Sequence, residues 1–234
     1  MVTKHLYLPD KLSMITETLE LGTVISEPVE IKPGSVPVWK LSTNQGDFHV
    51  KVWLNGEWDW LIASINSATE IEMAAHAYGV EMAEPIALNR RFGASIFSVH
   101  RWHEGRTLQS TDDVALWLGR MLVKLHAIPP PACAPRDAIE SWYGVHPVEE
   151  WQEWIVQAEE QALPWAQAAR NGLPKIQTAC ELVAEGLCAG GRIVGSHRDL
   201  MGQNVLAANA GFMLIDWDCA GPEIAWLETV RAGV

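Results

Sequence analysis

The stretch Ser196 to Gly221, S-H-R-D-L-M-G-Q-N-V-L-A-A-N-A-G-F-M-L-I-D-W-D-C-A-G, constrains this chain more than any other. It opens on His197-Arg198-Asp199 and places Asn204 five positions after Asp199. Two short β-rich runs follow, Val205 to Ala207 and Phe212 to Ile215, separated by Asn209-Ala210-Gly211. That pattern predicts a β-hairpin. The second strand delivers Asp216 and Asp218 on either side of Trp217. A carboxylate, an amide and two further carboxylates therefore sit at the ends of one hairpin. Phosphoryl transfer needs such a set: a base for a hydroxyl proton and oxygen ligands for magnesium. On chemistry alone Asp199 is the base. Asn204 offers a neutral oxygen and Asp216 an anionic one to the metal, with Asp218 joining the shell or pairing elsewhere. His197 braces the loop through hydrogen bonds.

The chain upstream reads in two styles. Asp10 to Glu20 carries Leu12, Ile15 and Leu19 on one helical face. Val24–Ile31, Val36–Ser42 and Phe48–Trp53 are β-rich, broken by turn signals at Pro33-Gly34-Ser35 and Asn44-Gln45-Gly46-Asp47. The third run holds Lys51 within F-H-V-K-V-W. Such a lysine either points to solvent or reaches the phosphates of a nucleotide. Ile65–Tyr78 predicts a helix closed by Gly79 and bears Glu70 and Glu72, either of which can pair with the lysine; Ala75 and His76 favour Glu72. Pro85–Leu88 and Ser95–His100 predict two more strands, with a turn at Arg90-Arg91-Phe92-Gly93. His100 to Gly105 is the candidate hinge. Trp102 and His103 lie where backbone groups meet a nucleotide base, and the H-x-x-H there lacks further metal ligands.

Beyond Gly105 the pattern turns helical. Thr111-Asp112-Asp113 predicts the cap of a helix to His126, ended by Pro129-Pro130-Pro131. Val148–Arg170 predicts a helix bent at Pro164, with Glu149, Glu150, Glu153, Glu159 and Glu160 along it. Those five form either a solvated face or an acidic wall for a cationic acceptor. Ile176–Leu187 predicts another helix, closed by Gly190-Gly191.

Composition narrows the classes. At 234 residues the chain can bury a substantial core as one large domain or two lobes. A formal charge of −12 argues against nucleic acid and suits a cationic or neutral small molecule, although many cytosolic proteins are simply acidic. The twelve Trp are spread along the chain and read as packing residues. Four scattered Cys without metal spacing fit free thiols in a reducing compartment. The first ten residues contain no apolar core of a signal peptide, and no apolar run approaches a membrane span, so a cytoplasmic location is expected. Oligomeric state is left open.

V-G-S-H-R-D-L-M-G-Q-N-V-L and M-L-I-D-W-D-C-A-G-P resemble the catalytic and metal-binding segments of the aminoglycoside phosphotransferase-like kinases. L-G-R-M-L-V-K-L-H-A-I-P and E-I-E-M-A-A-H-A-Y-G-V-E-M-A-E-P agree, so the resemblance spans Val24 to Trp226. It implies an α+β, protein-kinase-like fold of two lobes, a β-sheet lobe over 1–103 and a helical lobe over 104–234. It also implies ATP, Mg2+ and a hydroxyl acceptor on a small molecule: an aminoglycoside first, a choline-, ethanolamine- or sugar-type alcohol second. An idle nucleotide-binding module is the reading from another class. Two departures stand out. Arg198 occupies a position where the family commonly has Gly, and the chain stops at Val234, where such kinases continue with helices that complete the acceptor pocket. Truncation and a pocket closed otherwise are the alternatives. The phosphate loop is reduced to Gly34-Ser35, and G-x-x-x-x-G-K-[ST] is absent, which excludes a P-loop enzyme.

Overall fold

The computed structural model describes residues 12–33, 36–53, 59–93, 95–131 and 146–232. The Gly34-Ser35 turn, Cys133 and the chain before Leu12 lie outside them. Two compact units are found: residues 1–134 with 194–234, and residues 135–193. The boundary expected at 103/104 falls inside the first.

The larger unit begins with α1 (Leu12–Thr18) and an antiparallel sheet of β1 (Val29–Lys32), β2 (Val38–Thr43), β3 (Gly46–Trp53), β4 (Pro85–Phe92) and β5 (Ser95–Arg101), in the order β1-β2-β3-β5-β4. Side chains alternate across a strand, and β3 uses both faces. Phe48, Val50 and Val52 enter a core with Ile15, Leu41, Phe97 and Val99. His49, Lys51 and Trp53 take the opposite face, which lines a cavity. That alternation explains a lysine between two valines: its face is covered, and Lys51 is only 6 % exposed.

The helix α2 (Asp59–Ala77) inserts between β3 and β4 and starts earlier than its periodicity indicates. Gly79 closes it at φ +70°, and the Val80 amide donates to the Ala75 carbonyl. The turn expected at Arg90–Gly93 is instead the end of β4. Arg90, Arg91 and Phe92 pair with Phe97, Ile96 and Ser95, after a register shift that follows Ala87. Gly93, at φ +63°, follows the strand.

Past β6 (Gly105–Thr107), α3 spans Ala115–Leu125. No side chain caps it. Asp112, expected there, is engaged by Arg106 at 2.7 Å and by the Gln109 amide at 2.8 Å. The Arg106 guanidinium and that amide hold its carboxyl down at about 2. β7 (Ile193–Ser196) leads into the 196–221 stretch, which supplies β8 (Val205–Ala208) and β9 (Gly211–Leu214), and the hairpin forms as expected. β6-β8-β9 make one sheet and β7 pairs with β10 (Gly221–Ile224). A final helix follows over Ala225–Ala232; neither it nor β10 was evident from the sequence. One core joins Ile71 and Ala75 of α2, Met121 and Leu125 of α3, and Leu200, Leu214 and Trp217. The α2–β4 connection is stitched to the hairpin by the Leu214 amide, which donates to Glu81 O at 2.8 Å.

The smaller unit contains α4 (Val148–Glu160) and α5 (Ala166–Ala189), with the final helix of the larger unit becoming α6. The break at Pro164 matches expectation. α5, however, runs on through Pro174, and Thr178 Oγ1 donates to the Pro174 carbonyl at 3.1 Å. Ile155 and Ala158 are buried, and Trp151, Trp154 and His146 make edge contacts. No helix among the described residues is long and apolar enough to cross a membrane.

Candidate active site

The cavity facing β3 has a volume of about 510 Å³ and lies wholly within the larger unit. Its walls include Lys51, Glu72, His100, Trp102, His103, Asn204, Asp216 and Asp218. Seven of the ten residues singled out in the sequence therefore meet at one hollow. Asp199, half-buried, and His197, buried, are not among its lining residues, and Glu70 lies exposed on α2.

The loop from His197 to Asn204 is held by buried groups. His197 is fully buried; its Nε2 donates to Ile215 O at 3.0 Å and its Nδ1 accepts from the Asp199 amide at 3.3 Å. Burial keeps the ring below its ordinary pKa, outweighing nearby Glu228, and Trp217 packs edge-on at 4.7 Å. Both ring nitrogens are thus taken up by hydrogen bonds within the protein. Asn204 spends its NH2 group on Asp199, donating to Oδ2 at 2.7 Å and to the backbone oxygen at 2.9 Å. Its own side-chain oxygen is not used in these bonds.

Of the five non-glycine residues with left-handed backbone among the described residues, two belong to the 196–221 stretch, Arg198 at φ +66° and Asp216 at φ +65°. Each costs about 1 kcal/mol for a residue with a Cβ. Asp216 thereby leaves β9 with its carboxylate turned into the cavity. Arg198 turns its guanidinium inward against Gly221, where an added Cβ would stand 2.3 Å from Nη1, and donates through Nε and Nη2 to Pro222 O.

Lys51 Nζ donates to Asp216 Oδ1 at 2.5 Å and to Asp218 Oδ2 at 2.6 Å. Burial alone would lower the ammonium, but Asp218 and Asp216 outweigh it and hold its pKa above the ordinary value. Burial pulls Asp216 upward too, yet Lys51 prevails and holds it below its usual range; for Asp218 burial wins and its pKa is raised. The expected pair between Lys51 and a glutamate of α2 is not formed among the described residues. Glu72 is buried and accepts from His100 Nε2 at 2.6 Å. At the hinge, the Trp102 amide is already bonded to Asp47 O at 2.9 Å.

Oxygen donors Asn204, Asp216 and Asp218 suit a hard divalent cation. An ammonium already lies between the two carboxylates, so the site accepts positive charge there. One ammonium against two carboxylates also leaves net negative charge for a further cation.

Sequence reasoning missed Glu228 of α6. Fully buried, its Oε1 accepts from the His197 and Arg198 amides at 2.9 and 3.1 Å, and its Oε2 from His126 at 3.2 Å. Burial pushes Glu228 up, but these donors prevail and hold it below the usual carboxylate range. The signal available was a glutamate in a short, apolar-patterned helix.

Residues 30–232 match the model of the phosphotransferase enzyme family, so the chain belongs to that family and is a phosphotransferase. The fold is shared with a spectinomycin phosphotransferase, APH(9)-Ia, solved with ADP and spectinomycin, at 15 % identity and a TM-score of 0.63, over 91 % of this chain and 70 % of that one. A choline/ethanolamine kinase family protein from Mesorhizobium loti aligns at 15 % identity and 0.59, over 95 % and 69 %. An amicoumacin kinase, hAmiN, solved with AMP-PNP and Ca2+, aligns at 11 % and 0.53, over 93 % and 66 %. At these identities the likeness is one of fold. No curated protein matches the chain in sequence. The family resemblance, the mixed fold with its antiparallel sheet, and the enzyme class expected from the sequence are borne out.

Proposed function

We propose that this phosphotransferase moves the γ-phosphate of ATP, with Mg2+, to a hydroxyl of a cationic small molecule, foremost an aminoglycoside-type antibiotic. The carrying observation is the convergence of Lys51, Asn204, Asp216 and Asp218 on one cavity, with Asp199 fixed to Asn204. Asp216, Asn204 and Asp218 are the residues to hold the metal, which when bound neutralises charge on the phosphates. Lys51 binds the α- and β-phosphates, and the hinge at Trp102 and His103 takes the base. Asp199, with Oδ2 fixed by Asn204, takes the acceptor proton on Oδ1. The acceptor oxygen then bonds to the γ-phosphorus, the bond to the bridging oxygen breaks, and ADP leaves.

A cationic acceptor is supported by the net charge of −12 and by the glutamates of α4, though Glu150 and Glu159 are paired with His146 and Arg170. In this reading residues 1–103 form the nucleotide lobe and 104–234 the acceptor lobe, and the enzyme works in the cytoplasm. Likeness in fold to a choline/ethanolamine kinase family protein supports a second acceptor class. ADP release from Mg·ATP, measured across aminoglycosides, choline-type alcohols and sugars, tests the proposal. Stimulation by aminoglycosides, absent in Asp199→Asn, is the expected result; stimulation by choline-type alcohols alone transfers the assignment to the second class. Nucleotide binding without stimulation by any acceptor overturns the transfer and leaves a binding module.

A further inference from the structure

Lys51 and His100 occupy neighbouring strands on the same cavity wall. In the β3–β5 register Lys51 is opposite Ser98 and His49 opposite His100, so Lys51 and His100 are diagonal neighbours. Such neighbours are about 7–8 Å apart. Glu72 of α2 lines the same wall and is 5 % exposed, and a carboxylate so buried requires a partner. It takes that partner from His100, while Lys51 is held by Asp216 and Asp218.

We propose that His100 is a positioning residue that holds Glu72 while Lys51 is bound to Asp216 and Asp218, and releases Glu72 to Lys51 when the two aspartates turn to a metal-bound nucleotide. The inference rests on the reading of this cavity as the nucleotide site. Its logic is one of competition. In the resting protein both pairs are satisfied, and binding must exchange them. A variant that removes the imidazole orphans Glu72 in the resting state alone, because in the bound state Glu72 has Lys51. Affinity for nucleotide then rises as resting stability falls, since only the free state loses an interaction. A purely structural His100 predicts the opposite, with stability and affinity falling together.

The test is Mg·ADP binding by calorimetry, with melting of the nucleotide-free protein, for the parent, His100→Phe, His100→Gln, Glu72→Gln and the double variant Glu72→Gln/His100→Phe. His100→Phe is expected to melt lower yet bind Mg·ADP about tenfold more tightly, within the usual size of coupling between sites. His100→Gln, which keeps a donor, is expected to follow the parent. In the Glu72→Gln background the gain is expected to vanish. In the parent, the NMR resonance of the His100 Nε2 proton reports the exchange directly and is expected to move on saturation with Mg·ADP. Unchanged or weaker binding by His100→Phe, a gain that survives in the Glu72→Gln background, or an unmoved resonance at saturation overturns the exchange while leaving the nucleotide site standing. Failure of the parent to bind Mg·ADP overturns the site itself, and the exchange with it.

Discussion

Glu223 carries the most quantitative prediction. It lies on β10 with none of its surface exposed; Oε1 accepts from the Ile224 amide at 2.8 Å and Oε2 has no hydrogen-bond partner among the described residues. Burial drives its pKa from 4.5 to about 7, only partly offset by that amide. The folded state therefore favours the neutral acid. A raised folded pKa contributes stability that is fully present below the unfolded pKa and is lost as pH rises towards 7. At 1.36 kcal/mol per pH unit, the interval from 4.5 to about 7 corresponds to about 3 kcal/mol. Glu223→Gln has the neutral shape at every pH. Urea unfolding of parent and variant between pH 4.5 and 8 is the assay. The stability of Glu223→Gln relative to the parent is expected to climb by about 3 kcal/mol across that range, whatever constant offset the amide brings. A difference that stays flat with pH would refute the assignment of the buried proton to Glu223.

Asp199→Asn is expected to lower transfer by about 10²–10⁴-fold, with nucleotide affinity nearly unchanged in a binding titration. Asp216→Ala is expected to lose the magnesium dependence of nucleotide binding; equal binding by variant and parent would sink the metal assignment. Glu228→Ala leaves the His197 and Arg198 amides and His126 without their acceptor and is expected to cost about 3 kcal/mol in denaturant unfolding. In nucleotide-saturated kinetics it is expected to lower kcat more than it raises KM for ATP, because the loop it holds carries Asp199.

The catalytic hairpin was legible because its signals are local: apolar runs, a turn at Asn209-Ala210-Gly211, and polar residues at fixed offsets. The alternation around Lys51 was visible too, but which face was covered was not. That depends on Asp216 and Asp218, 165 and 167 residues away. The same distance limit explains why Glu72 was assigned to the lysine: helical spacing gives its reach, whereas the competing imidazole sits 28 residues on, across the cavity wall. Asp112 had the composition of a cap and lost that role to Arg106, whose paired guanidinium bonds are stronger than one bond to a helix amide. Glu228 left only the weak signal of a glutamate in a short apolar-patterned helix, since a buried acceptor for loop amides looks like any helix glutamate until the chain is folded.

The fit of Arg198 against Gly221 bears on how this enzyme can diverge. A Cβ at 221 meets the end of the Arg198 side chain, so replacing Gly221 first requires the buried guanidinium to shift away from Pro222 O. Replacing Arg198 by glycine first relieves a left-handed backbone and vacates the slot, after which 221 is released. The two positions are thus coupled, and the order of replacement decides whether the guanidinium must move. A library randomised at both is expected to recover bulky residues at 221 only alongside a small residue at 198.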